Sequence, residues 1–109
     1  MRKRKTPYGL FESRAKVAKA LAHPSRLMIL DALEEAPHCV CELTELVGAD
    51  QSTVSKHLSV LKSAGLIQGR REGSLVWYSL SVSCLKGFWN CIDGVLKNDV
   101  DVRRQALKK

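Results

Sequence analysis

Two of the four cysteines in this chain stand as Cys39-Val40-Cys41. Thiolates are soft donors and prefer soft ions to magnesium or calcium. Residues i and i+2 of a regular helix point about 200° apart. Both sulfurs therefore converge on one ion only where the backbone is extended or distorted, and an ion drawing them together would strain the segment that carries them. Cys84 and Cys91 are seven positions apart, on one helical face and about 10.5 Å apart along its axis, too far for both to bind one ion directly. Each also reads as a small apolar residue bordering an apolar stripe. His38 offers an adjacent nitrogen, although an ordinary loop histidine is the plainer reading. Four thiols also permit redox chemistry, in which two of them join as a disulfide or polysulfide.

The second group with chemical potential is Gln51-Ser52-Thr53-Val54-Ser55-Lys56-His57-Leu58. Asp50 can cap a helix here and Gly65 can end it. The 14 residues between them make about 21 Å of helix. Val54, Leu58 and Leu61 form one apolar stripe. Ser52, Ser55, Lys56, Ser59 and Ser63 lie opposite: small hydrogen-bonding groups and a cation, with no acid. Such a face suits a nucleic-acid groove. The expected contacts are Gln51, Ser52, Thr53, Ser55, Lys56, His57 and Ser59. Gln51 is suited to adenine and Lys56 to phosphate. His57 lies on a flank, where packing against the wing competes with DNA contact. Arg26 and Lys62 read as surface charges or phosphate contacts.

Several elements must position these groups. Residues 1–10 read as a flexible basic tail. A helix is expected from Phe11 to Ala22, with Phe11, Ala15, Ala18 and Ala22 on one face. Pro24 suits the first turn of a second helix, Pro24 to Leu33, whose Leu27-Met28-Ile29-Leu30 run belongs in the core. A third helix runs from Val40 to Val47 and stops at Gly48. A short turn then joins it to the helix after Asp50, which is a helix-turn-helix pattern. Next come a strand at Leu66-Ile67-Gln68, a turn about Glu72-Gly73 and a strand at Leu75–Leu80. This hairpin is a wing, with Arg70 and Arg71 near its tip facing phosphate or the minor groove. A last helix is expected from a Ser83 cap to Lys97. Its aromatic and aliphatic stripe (Leu85, Phe88, Ile92, Val95) suits a dimer interface or packing on the first helix. Residues 98–109 read as a tail. The expected fold is mainly α with a β-hairpin wing, a winged helix-turn-helix over residues 11–97 that dimerises through its terminal helices.

The chain has 109 residues, 18 basic against 11 acidic, for a formal net charge of +7. One domain and a polyanionic partner are expected. No apolar run approaches a membrane span and no signal core is visible, so a cytoplasmic protein with no membrane partner is expected. There the cysteines read as ligands, redox groups or buried apolar residues rather than structural disulfides. No nucleophile stands with a base partner, and Cys-x-Cys lacks the Cys-x-x-Cys spacing of disulfide oxidoreductases, so an enzyme is not expected.

Four stretches together resemble the ArsR/SmtB family of bacterial winged-helix metal sensors over residues 11–97. They are Lys19-Ala20-Leu21-Ala22-His23-Pro24-Ser25-Arg26-Leu27, Cys39-Val40-Cys41-Glu42-Leu43, Ser52-Thr53-Val54-Ser55-Lys56-His57-Leu58 and Gly73-Ser74-Leu75-Val76-Trp77-Tyr78. The resemblance implies a homodimeric repressor that leaves double-stranded operator DNA when an inducer binds. It implies a thiophilic ion at Cys39 and Cys41, As(III) or Sb(III) first, then Cd(II), Pb(II) or Zn(II). The compact three-cysteine arsenic sites carry their third thiol where this chain has Thr44. The cadmium and lead sensors recruit a cysteine from an N-terminal tail, and this tail has none. A third sulfur must then come from Cys84 or Cys91, within the chain or across the dimer. The zinc site of the terminal helix is absent, because Val82, Cys84 and Val95 occupy its positions.

Overall fold

The computed structural model describes residues 6–83 and 85–107. The chain runs α1 (Tyr8–Leu21), α2 (Pro24–Glu35), β1 (His38–Cys39), α3 (Val40–Val47), α4 (Gln51–Ser63), β2 (Ile67–Glu72), β3 (Leu75–Leu80) and α5 (Lys86–Ala106). Local chemistry sets most of these boundaries. Pro24 opens α2, and His23 Nδ1 accepts from the Ser25 N–H at 3.0 Å. Gly48 ends α3 at φ +75, a left-handed conformation costly to residues with a Cβ. Asp50 caps α4 by accepting the Thr53 N–H at 2.7 Å.

The core joins α2, α3 and α4 to the base of the wing. Ile29, Leu30, Leu43, Val54, Leu58 and Leu61 are its fully buried side chains. Within the expected apolar run of α2, Ile29 and Leu30 face inward while Met28 is 41% exposed, because a helix can turn only one side to the core.

Five boundaries differ from expectation by two residues or more. Helix α1 starts at Tyr8, inside the expected tail, and α2 runs on to Glu35. Strand β2 continues to Glu72 instead of giving way to a loop, because the hairpin register pairs Arg70 with Trp77, Arg71 with Val76 and Glu72 with Leu75. The wing tip is therefore Gly73-Ser74, with Gly73 at φ +63. Helix α5 begins at Lys86 with no side-chain cap, so Ser83 does not start it. It also continues to Ala106, through most of the segment expected to be a tail. The two-residue strand β1 has no counterpart among the expected elements. It pairs antiparallel with β3, so the sheet order is β1-β3-β2.

Candidate DNA interface and thiol pair

Helix α4 presents the expected polar face. Val54, His57, Leu58 and Leu61 are buried, whereas Gln51, Ser52, Thr53, Ser55, Lys56 and Ser59 are exposed. The Ser52 hydroxyl donates to the same Asp50 carboxylate that caps the helix, at 3.1 Å. Hydrogen bonds from Thr53, then Ser52, hold that carboxyl below its usual range. The cap thereby fixes the first turn, the part of a recognition helix that reaches base edges.

His57 is a correction to the expected contact set. Only 9% of its surface is exposed. Its Nδ1 accepts from the Arg26 Nε at 3.1 Å, and its ring lies 4.3 Å from the His23 ring. It packs towards the α1–α2 junction, not the wing and not the groove-facing side. Burial first, then the neighbouring His23 and Arg26 charges, push its pKa down and favour the neutral ring. Arg26 likewise has a structural task. Its guanidinium also donates to the Lys19 and Ala20 carbonyls at 3.3 and 3.4 Å, at the C-terminal end of α1. A cation there complements the helix dipole. The two residues are 31 positions apart, so no local pattern shows the pairing.

On the wing, adjacent positions of β2 point to opposite faces. Arg70 and Arg71 therefore diverge. Arg70 pairs with Glu72 at 2.7 Å, and Arg71 is exposed beside the tip.

Cys39 and Cys41 straddle a strand-to-helix junction. Cys39 is the N-cap of α3, extended at φ −82 and ψ 164, and 6% exposed. Cys41 lies exposed in the first turn of α3. One partner thus lies just outside the helix, and the two thiols sit in different surroundings, Cys39 buried and Cys41 exposed. Glu42 accepts the Cys39 N–H at 3.1 Å and approaches His38 Nδ1 at 3.3 Å. The bond from the Cys39 backbone is the main reason its carboxyl is held below the usual range. Glu42 was missed in the sequence. A glutamate three residues after an N-cap is the signal, obscured because cysteine is not a usual capping residue. Thr44, where a third thiol would stand, donates its hydroxyl to the Val40 carbonyl at 2.7 Å. Cys91 is exposed on α5, and Cys84 lies outside the described residues. Among the described residues no three His, Cys, Asp or Glu side chains are grouped to hold an ion.

Helix α5 has no buried residue. Trp89 packs against the core, with its indole N–H donating to Glu34, and the N-cap residue Leu85 is buried in it. Ile92, Val95 and Leu96 are exposed at 42, 66 and 59%. The face expected to gather Phe11, Ala15, Ala18 and Ala22 on α1 is turned outward as well: all four are exposed, while Ala20 is buried. Among the described residues no helix is long and apolar enough to cross a membrane.

The model for "Bacterial regulatory protein, arsR family" matches residues 23–68. An uncharacterized HTH-type transcriptional regulator, MJ1325 of Methanocaldococcus jannaschii, is 36% identical over 84 residues, 76% of this chain and 94% of its own length. The HTH-type transcriptional repressor SmtB of Mycobacterium tuberculosis is 37% identical over 69% of this chain, and a cadmium resistance regulatory protein CadC homolog of Staphylococcus aureus is 42% identical over 61% of it. The matched regions span about half of those two relatives, 56% and 55%. The homodimeric winged helix-turn-helix DNA-binding domain Mb0332 of Mycobacterium bovis superposes with TM-score 0.74 at 29% identity, over 91% of this chain and 92% of that one. The chain belongs to the arsR family of bacterial regulatory proteins, and it is a transcriptional regulator rather than an enzyme.

Proposed function

We propose that this protein is a homodimeric repressor that binds pseudo-palindromic operator DNA and lets go when a thiophilic ion engages Cys39 and Cys41. One α4 helix per half-site would enter the major groove, with Gln51, Ser52, Thr53, Ser55, Lys56 and Ser59 towards the duplex and Arg70 and Arg71 on flanking backbone. Two chains at +7 each give +14 per dimer, which favours a polyanion and makes affinity fall with salt. The outward apolar faces of α1 and α5 support the dimer. They leave aromatic and aliphatic surface that a chain this small has no other means to cover.

The observation that carries the sensing half is the double role of Cys39. It caps the first helix of the helix-turn-helix and, through β1, pairs with Trp77 of the wing strand β3. The donor types suit a soft ion, because two thiols lie two positions apart in the chain with His38 and Glu42 next to them in sequence. A bound ion would supply a strong soft-donor bond able to reorganise the junction. To share such an ion, buried Cys39 must turn towards exposed Cys41. That movement disturbs the α3 N-terminus, whose far end leads through Gly48 into α4, and it disturbs the β1–β3 pairing at the same time. As(III) or Sb(III) best suits a site built on thiols, with Cd(II), Pb(II) or Zn(II) next. Cys84 or Cys91, of the same chain or its partner, would supply the third sulfur.

The test is a DNA-release titration with arsenite, antimonite, cadmium, lead and zinc under reducing conditions. It is repeated with each of the four cysteines changed to serine. Release that survives Cys39→Ser and Cys41→Ser overturns the sensing site. Release by oxidant and by no ion replaces it with thiol oxidation.

A further inference from the structure

A groove of about 370 Å³ separates the C-terminal halves of α1 and α4. Its polar lining consists of Lys16 and Lys19 from α1, Arg26 from α2, and Ser59 and Ser63 from α4, with no acidic residue. Both lysines are exposed, and among the described residues neither is in an ion pair with a carboxylate. Arg26 is committed to His57 and to the end of α1, so it contributes charge to the wall rather than a free donor.

The groove continues the polar face of α4. Ser52, Lys56, Ser59 and Ser63 stand at i, i+4, i+7 and i+11, one narrow row along the helix. From Ser52 to Ser63 the row rises about 16 Å. The major groove is about 12 Å wide. A helix whose first turn reads base edges must therefore carry its last turn to the rim, where the phosphates stand. There the two hydroxyls meet the two α1 lysines.

We propose that the groove between α1 and α4 is a seat for the DNA backbone, with Lys16 and Lys19 closing on phosphates at the far rim of the major groove. The operator footprint then extends off the helix-turn-helix onto the first helix. This rests on the DNA-binding reading above and deepens it. It also gives the Arg26–His57 bond a purpose beyond packing, since Arg26 pins the end of α1 beside α4 and so sets the width of the seat.

The experiment measures affinity of the full chain for a mixed-sequence duplex of about 30 base pairs, long enough for two half-sites, at several salt concentrations. Wild type is compared with Lys16→Ala, Lys19→Ala, Lys56→Ala and Lys97→Ala on α5, a helix that does not line the groove. Removing one phosphate-binding cation from each protomer removes two from the dimer, so each α1 substitution is expected to lower the slope of log K against log salt by about 1.8. Lys16→Arg should restore it and Lys97→Ala should leave it unchanged. Unaltered slopes for both α1 variants, with a lowered slope for Lys56→Ala, overturn the seat and leave the DNA-binding reading standing. Weaker binding of free inorganic phosphate by the α1 variants, with the DNA slope unaltered, makes the groove a small-anion site instead. A wild-type chain that binds no duplex overturns both readings.

Discussion

Cys39 and Trp77 face each other across β1 and β3, so the buried thiol of the α3 cap and the indole of the wing occupy the same rung of the sheet. Anything that moves one acts on the other. The chain has two tryptophans, and Trp89→Phe leaves Trp77 as the sole reporter. Addition of arsenite or cadmium to that variant is expected to change Trp77 emission in step with DNA release. Cys39→Ser should abolish both. Release with an unchanged spectrum would uncouple the wing from the thiol pair.

Acid should weaken the fold through His57. The folded protein favours the neutral ring, so the unfolded chain takes up the proton first as pH falls through the ordinary histidine value of about 6.5. Stability contributed by this group is complete above that pH. It declines below, and the loss levels off beneath the lowered folded value. Urea midpoints between pH 8 and pH 5, on the order of the histidine range, should fall on the acid side. His57→Gln, which keeps an acceptor for Arg26, should flatten the decline. His57→Ala removes both ring and acceptor and should cost about 1–3 kcal/mol at neutral pH.

The uncovered stripe of α5 makes a prediction about assembly. Val95→Asp or Leu96→Asp places a charge on surface that a partner would desolvate. Sedimentation should show dimerisation weakened on the order of 100-fold, the scale of one central interface residue. The helical content should be retained, because no α5 residue belongs to the buried core. A monomeric wild type would refute the dimer directly.

Base reading and backbone holding should separate on α4. Gln51→Ala is expected to cost about 1–3 kcal/mol on the operator and little on unrelated DNA. Lys56→Ala should weaken both alike and reduce the salt dependence. Arg71→Ala should resemble Lys56→Ala, since Arg71 is exposed beside the wing tip and is not in an ion pair among the described residues. Arg70→Ala should have the smaller effect, because its guanidinium is already paired with Glu72 at 2.7 Å. Binding assays across a series of duplexes would distinguish these classes.

Short-range patterns made much of this fold legible. The Val40–Val47 helix, its glycine stop, the Asp50 cap and the polar row of α4 each depend on neighbours within one or two turns, where side-chain chemistry acts directly on the backbone. The same holds for the Cys39-Val40-Cys41 motif as a donor set. Tertiary packing decided what lies across the chain. Burial of His57 requires Arg26 and His23 to arrive from another helix. The outward turn of Phe11, Ala15, Ala18 and Ala22 depends on which side of α1 the core claims, and periodicity does not specify that. Two residues of β1 are too few to show a pattern and exist only because β3 offers them an edge. The same edge puts Cys39 outside the helix. How two nearby sulfurs are oriented is a property of the backbone's path between a strand and a helix, and that path was set by contacts 38 positions away, at Trp77.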